Sequence, residues 1–245
     1  MSILVTLATS RRILLQLRRD HRTMGLVLIL PPLLLALFKY VFEDQPHTFQ
    51  RLAPALVGLF PFTIMFLVTS ISMLRERTGG TLERLMSLPI AKLDLLLGYA
   101  LAFALVAAIQ ASAAAGVAFW LLDLTTQGPA WQLVALAMAN AVLGMALGLF
   151  FSAFATTEFQ AVQFMPAVVF PQILLGGLFV PRESMSRILE LISNVLPLTY
   201  AYDALARATR GETFEGDVAR DIVIILIAIV LSLILGAATL RRRTP

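Results

Sequence analysis

The side chains able to do chemistry are few in this sequence, and most are grouped. The densest group is LRERTGGTLERLMSLPIAKLDL, residues 74–95, which carries Arg75, Glu76, Arg77, Glu83, Arg84, Lys92 and Asp94. Elsewhere the chain has no nucleophile–base pair and no Gly-x-Ser-x-Gly elbow. Its only histidines, His21 and His47, lie far apart, and there is no cysteine, so neither a clustered metal site nor a disulfide is expected. The phosphate-binding pattern G-x-x-x-x-G-K-[ST] is absent, and the only lysines are Lys39 and Lys92. ATP hydrolysis by that route is therefore closed to this chain. No carboxylate falls near the middle of a long apolar run, where proton- or sodium-coupled transporters keep ionisable groups. The deepest polar residues, Gln110, Asn140, Gln163 and Gln172, are uncharged and suit hydrogen bonds between helices.

The elements that must position the polar block are apolar. Of 245 residues 59% are hydrophobic and 14% charged, against about 25% charged in a soluble domain. Apolar runs of about 20 residues recur, which defines an all-α polytopic membrane protein. Six transmembrane helices are expected, at about 23–42, 52–74, 95–122, 131–154, 161–181 and 221–240, in a single domain over 1–245. Prolines fall inside the first, second and fifth. Residues 1–22 form an amphipathic stretch, with Ile3, Leu7, Ile13, Leu14 and Leu17 on one side and Arg11, Arg12, Arg18, Arg19 and Arg22 on the other. It reads either as a basic surface helix on anionic lipid or as a positive flank that fixes orientation. It lacks the form of a signal peptide.

Lysine and arginine set the orientation. With both termini cytoplasmic, the inside segments hold twelve of the 19 Lys and Arg and five of the 15 acids, a net +7, leaving −3 outside. The excess of positive charge thus follows the membrane and does not point to nucleic acid. Trp120 and Trp131 flank the short loop 123–130, as interfacial aromatics do. In the outer segment 182–220, Met185, Ile188, Leu189, Ile192, Val195 and Leu196 recur at helical spacing opposite Arg187, Glu190 and Asn194. This run is too short to span, so it is expected to be a helix at the outer interface; a surface helix packed on the span ends is the other reading. Residues 211–220 read as an exposed loop. Gly144 and Gly148 form a G-x-x-x-G, suited to a helix contact within the chain or between two copies.

The polar block is then the main cytoplasmic loop, 75–94, between spans two and three. Residues 81–88 suit a short helix, with Thr81 as its cap and Pro89 as its stop. Leu82, Leu85 and Met86 make an apolar side beside Glu83 and Arg84, which fits a protein groove or the lipid headgroups. RERTGGTLERLMSLPIAKLDLLLGYALAF resembles the membrane subunits of ABC-2 type exporters, which carry an acidic residue, then Gly-Thr-Leu-Glu, a short helix and a proline before the third span. Here these are Glu76, Gly80, Thr81, Leu82, Glu83 and Pro89. GGLFVPRESM and LPLTYAYDALAR resemble the family's second region through Gly176, Gly177, Pro181, Pro197 and Tyr200. The family often has a basic or amide residue soon after that tyrosine; Ala206 stands about there and Arg207 follows. The resemblance covers nearly the whole chain and is closest to short bacterial drug-export permeases of the daunorubicin-resistance type.

That resemblance implies a multi-pass protein of the bacterial inner membrane, paired with a second permease copy, identical or paralogous. Two copies of a separate ATP-binding subunit would bind ATP and Mg, and this chain would bind no cofactor. Arg75, Glu76, Gly80, Thr81, Leu82, Glu83, Arg84, Leu85, Met86 and Pro89 would couple to that subunit. Spans two and five would line the path of an amphipathic or hydrophobic cargo, through Phe62, Met65, Phe66 and Thr69, then Phe164, Met165, Val168 and Gln172. Met185, Ile188, Leu189 and Ile192 would close its outer mouth. Export of a lipid or glycan precursor is the alternative within the family. A channel or ion-coupled transporter working without an ATPase is the alternative outside it. The charge bias makes one prediction: a label at position 127 reacts from the outer face and one at position 80 from the cytoplasm, and the reverse pattern overturns this orientation.

Overall fold

The computed structural model describes residues 2–87 and 90–239, without the side chains of Glu83 and Met86. Pro89 and the segment 241–245 counted on the inside thus lie outside the described residues. The described chain is helical throughout: α1 (Ile3–Arg19), α2 (His21–Val41), α3 (Pro46–Thr78), α4 (Thr81–Met86), α5 (Lys92–Trp120), α6 (Ala130–Phe151), α7 (Glu158–Leu175), a 3-10 turn (Arg182–Ser184), α8 (Arg187–Ser193), α9 (Pro197–Thr209) and α10 (Gly216–Ala238). Five of these, α2, α3, α5, α6 and α10, are long and apolar enough to cross a membrane. The expected fifth span, 161–181, is corrected: α7 starts earlier, at Glu158, and stops at Leu175. Its 18 residues reach about 27 Å at 1.5 Å each, and Glu158, Gln160, Gln163 and Gln172 make it more polar than the others.

Helix α3 is the centre. Its 33 residues extend past both ends of the expected 52–74, so Arg75 and Glu76 are helical and do not belong to a loop. One face packs on α6 closely enough for backbones to touch. A Cβ at Gly144 would stand 2.2 Å from the carbonyl oxygen of Phe62, and one at Gly148 would stand 2.4 Å from that of Phe66. Thr69 Oγ1, which donates to the Met65 carbonyl oxygen of its own helix at 2.7 Å, also lies 3.2 Å from the Met145 carbonyl oxygen across the same contact. The G-x-x-x-G thus serves a contact within the chain. In lipid, where apolar helices gain little by mere contact, such close approach and its hydrogen bonds are what join them.

The other helices gather on this pair. α5 and α10 pack on α6, α2 packs on α3 and α5, and α1 lies along α5. At one end of the bundle the α5–α6 loop is tied down from three sides. Gln50 Nε2 donates to the Asp123 carbonyl oxygen at 2.7 Å, Lys39 Nζ donates to that of Leu122 at 3.1 Å, and the Gln127 amide donates to that of Thr209 at 2.9 Å. Trp120 and Trp131 are exposed there, as expected of interfacial residues.

The segment 182–220 differs from its expected form. The apolar periodicity from Met185 to Leu196 is broken after Ser193, and the chain forms two helices, α8 and α9. The buried one is α9, through Leu198, Thr199, Ala201, Tyr202, Ala204, Leu205 and Ala208. Polar ends join the two: Thr199 Oγ1 donates to the Ser193 carbonyl oxygen at 2.9 Å, and Tyr200 Oη donates to that of Asn194 at 2.7 Å. The segment 211–220 is a loop only up to Glu215, because α10 begins at Gly216.

A branched side chain at Gly148 must push α6 off α3. Gly148→Val should cost at least about 1–3 kcal/mol, as over-packing does, and sharply lower the yield of folded protein. Gly116, where a Cβ meets nothing nearer than 3.5 Å, should accept alanine with unchanged or slightly higher stability in thermal unfolding.

Candidate functional site

The polar block becomes a structured end of the bundle. α3 stops at Thr78, Gly79 follows, and Gly80 turns the chain at φ 72°, a left-handed conformation that costs glycine little. α4 then starts. Thr81 is its first helical residue, and the carbonyl of Gly80 accepts the first helical bond, from the Arg84 amide at 3.1 Å. The expected cap at Thr81 thus shifts back by one residue. Leu82 is buried against the chain's own core and Leu85 is half-buried against it, so the apolar side of α4 faces the bundle. Arg84 and Ser87 are exposed. Pro89 and the side chains of Glu83 and Met86, also assigned to coupling, lie outside the described residues.

Glu76 joins three helices. Its Oε1 lies 3.4 Å from Nη1 of Arg12 on α1. Nη2 of the same guanidinium donates to the Tyr99 hydroxyl on α5 at 2.5 Å. The Arg12 guanidinium carbon also stands 5.6 Å from the centre of the Tyr99 ring, within cation–π range. Arg75 holds the start of α7, donating through Nε and Nη2 to both oxygens of Glu158 at 2.7 and 3.0 Å. These bonds hold the Glu158 carboxyl below its ordinary value. Nε and Nη2 of Arg77 are buried without a hydrogen-bond partner.

Helix α1 is held by more than charge. Thr9 and Ser10 are buried, and a Cβ at Gly98 would stand 2.5 Å from Cβ of Thr9, so α1 and α5 meet closely there. Asp94, only 3% exposed, accepts the Ser2 amide at 2.8 Å. Ile3, Leu4 and Leu7 remain exposed on α1, the apolar face a membrane surface would cover. Asp20 then caps α2, accepting from the Thr23 amide at 3.1 Å and its hydroxyl at 2.6 Å, which holds the Asp20 carboxyl below its ordinary value. The sequence pattern marks Arg12 as part of a basic face and Asp94 as part of the polar block but gives neither a partner, and nothing in it singles out Tyr99. Gly98, in the first turns of an apolar helix, was the one local sign of a close contact.

The residues assigned to a substrate path divide differently. Phe62, Met65, Phe66 and Thr69 are wholly buried, and the α3 backbone at Phe62 and Phe66 meets the α6 glycines. Phe164, Met165 and Val168 are half-buried against the core. Gln172 is buried, with Oε1 3.4 Å from the Leu198 amide. None of the eight lies on an open face of the chain. The open face of α7 instead carries Phe159, Val162, Gln163, Ala167, Phe170 and Leu174, and the half-open face of α3 carries Thr63, Ile64, Leu67, Val68 and Ile71. Of the residues assigned to an outer gate, Ile188, Leu189 and Ile192 on α8 are exposed and Met185 is half-buried.

A second polar cluster stands at the opposite end. Arg207 lies 3.2 Å from Glu212, 3.1 Å from Asp217 and 3.9 Å from the fully buried Asp221. Arg220 reaches Asp217 at 3.2 Å and Asp221 at 3.0 Å. Arg182 pairs with Asp203, whose carboxyl burial pushes up although the arginine pulls it the other way. Among the described residues no group of His, Cys, Asp and Glu could hold a metal ion.

An all-helical bundle with five membrane-crossing helices and its charges gathered at the two ends is a multi-pass membrane protein. The family model described as ABC-2 type transporter matches residues 4–208. The chain belongs to the ABC-2 type transporter family. It is 28% identical over 153 residues to a protein of Escherichia coli (strain K12) named Probable multidrug ABC transporter permease YbhR, a match covering 61% of this chain and 41% of that protein. It is 27% identical over 154 residues to ABC transporter G family member 20 of Dictyostelium discoideum, covering 63% of this chain and 21% of that protein. A third relative, Probable multidrug ABC transporter permease YbhS of Escherichia coli (strain K12), is 23% identical over 175 residues, 71% of this chain and 46% of its own length. The chain thus spans less than half the length of these curated relatives.

The two ion pairs of this end differ in shielding. Arg12 and Glu76 are 30% and 14% exposed, Arg75 and Glu158 59% and 54%. A double-mutant cycle on Arg12→Ala and Glu76→Ala should give a coupling of about 0.5–3 kcal/mol in unfolding. The same cycle on Arg75 and Glu158 should give no more than about 1 kcal/mol. The second coupling exists above the ordinary carboxylate range and should vanish as pH falls through the lowered value of Glu158.

Proposed function

We propose that this chain is the membrane subunit of an ATP-driven exporter, moving amphipathic or hydrophobic small molecules out of the cytoplasm or the inner leaflet. Two copies of a separate ATP-binding subunit, carrying ATP and Mg, dock on the end that holds α4. A second permease copy faces this one, in a bacterial inner membrane with both termini cytoplasmic. The observation that carries the reading is the polar block itself. A short helix is hung from the end of α3 by a two-glycine turn, while Glu76 and Arg75 tie that end to α1 and α7. A push on α4 therefore meets α1, α3, α5 and α7 together.

Two further observations support it. Relatives bearing the names of multidrug permeases cover most of the chain. The open face of α7 is apolar with Gln163 within it, the character of a wall for greasy cargo with a polar group or two. On this reading the path is lined by the open faces of α3 and α7, one step around each helix from the residues the resemblance suggested. The outer gate remains α8, through Ile188, Leu189 and Ile192.

The test is reconstitution with the ATP-binding subunit. Arg84 is the exposed charge on α4, and truncating one member of a charge pair that becomes desolvated on docking costs about 2–5 kcal/mol, so Arg84→Ala should release the ATPase or uncouple hydrolysis from export. Insertion into the membrane should be unchanged. Cargo transport and ATPase activity in liposomes are the readouts, and unchanged transport with unchanged ATPase binding overturns the proposal.

A further inference from the structure

Helix α1 has two faces, and the chain covers only one of them. Thr9, Ser10 and Ile13 are buried, and Leu17 packs on the core. On the other side Leu4, Leu7, Arg11, Leu15 and Arg18 follow one another at spacings of three and four, which places them in one stripe along a helix. All five are exposed, Leu4 at 80%, and the exposed Ile3 and Arg19 border them. Leucines and arginines thus mix along a single open line. A face turned to water keeps few bare leucines together, and a face in hydrocarbon rarely carries an arginine. The mixture fits the boundary where acyl chains give way to headgroups.

The position of α1 agrees. Its tethers fall at one level of the bundle: Ser2 meets Asp94 and Thr9 meets Gly98 near the start of α5, and Arg12 meets Glu76 near the end of α3. The membrane-crossing α2 begins at His21, and Arg18, Arg19 and Arg22 all lie within three residues of it. Charge then selects the headgroup. Of the arginines in residues 2–22, only Arg12 has a carboxylate partner among the described residues. Arg11, Arg18, Arg19 and Arg22 are exposed, and a guanidinium does not deprotonate. Asp20, the one acid of the stretch, is engaged by the Thr23 amide and hydroxyl. A zwitterionic headgroup counters its phosphate with its own amine, whereas an anionic one leaves that charge to the protein. We propose that the open stripe of α1 binds anionic phospholipid, with Leu4, Leu7 and Leu15 among the upper acyl carbons and Arg11, Arg18, Arg19 and Arg22 at the phosphates. Each arginine at such a surface contributes roughly fivefold in affinity. Held this way, α1 keeps Arg12 against Glu76, and the lipid steadies the end of α3 that carries α4. A soluble acidic partner is the rival occupant; the short break between α1 and α2 and the open leucines favour the lipid.

The chain has no cysteine, so Leu15→Cys gives the full chain a single thiol in the middle of the stripe. The thiol is labelled with the fluorophore NBD in phosphatidylcholine nanodiscs. A tenth of the lipid carries a 5-doxyl quencher, on phosphatidylglycerol in one sample and on phosphatidylcholine in the other. Quenching by the phosphatidylglycerol should be at least about threefold stronger. Salt at about 0.5 M, which shortens the screening length to about 4 Å, should remove most of the difference. Arg11→Gln with Arg18→Gln and Arg19→Gln should make the two lipids equal, and Arg11→Lys with Arg18→Lys and Arg19→Lys should keep the preference. Equal quenching by both lipids in the chain with its arginines intact means a helix without headgroup choice and sinks the proposal. A preference that survives the three glutamines does the same. A label quenched by neither lipid, with the emission of NBD in water, leaves the stripe to a soluble partner and rejects the lipid. The two-lipid comparison needs no variant beyond the label, no ATPase and no cargo.

Discussion

The fold depends on one contact, the meeting of the α3 and α6 backbones at Gly144 and Gly148. Lipid tails are as apolar as leucine, so burial alone joins no two helices in this chain. Carbonyl oxygens of Phe62 and Phe66 reach α6 because two side chains are missing there, and Thr69 Oγ1 comes within 3.2 Å of the Met145 carbonyl oxygen through the same gap. With that pair fixed, α6 offers its other sides to α5, α9 and α10, and α3 offers its own to α2 and α7. The same small-residue logic recurs where α1 crosses α5 at Gly98, and where Gly176 meets the Tyr202 ring.

Charge is then sorted by depth. Every ion pair described lies at an end of the bundle, and the end holding α4 differs from the other in kind. There Arg12, Glu76, Tyr99, Arg75 and Glu158 link four helices, each pair far apart in sequence. At the opposite end Arg207 and Arg220 share three carboxylates within a short stretch of chain, pinning the start of α10 to the end of α9. The first arrangement spreads a local displacement across the bundle. The second locks one corner of it.

Much of this was legible in the sequence, for definable reasons. Long apolar runs gave the class and five spans, and Thr81 with Pro89 gave a short helix, which forms over Thr81–Met86. The ends of α3 were misplaced because Arg75–Thr78 are polar, and polarity reads as loop until Arg12 and Glu158 are seen to receive Glu76 and Arg75. Those partners are separated from them in sequence by 64 and 83 residues, so no local pattern announces them. The burial of the α3 residues assigned to a path was hidden for a similar reason. Phe62, Met65 and Phe66 look like a greasy wall, and only the glycines of another helix reveal that the wall is already occupied. The break between α8 and α9 was hidden by an apolar period that runs on to Leu196 while the helix stops after Ser193.

Helix α3 also has a mechanical character set by where its prolines fall. Pro54 and Pro61 lie in its first half, and the stretch from Phe62 to Thr78 has none. Each proline removes a backbone hydrogen bond and loosens the turn before it. The rod is therefore compliant on the side of Gln50 and stiff on the side of Glu76. Over a length of about 50 Å, set by 1.5 Å per residue, a 5° tilt moves a free end by about 4 Å. A stiff lower section carries such a tilt intact as far as Pro61, and beyond it the motion is absorbed as bending. The joint of this lever is thus written into the primary structure as a pair of missing N–H groups.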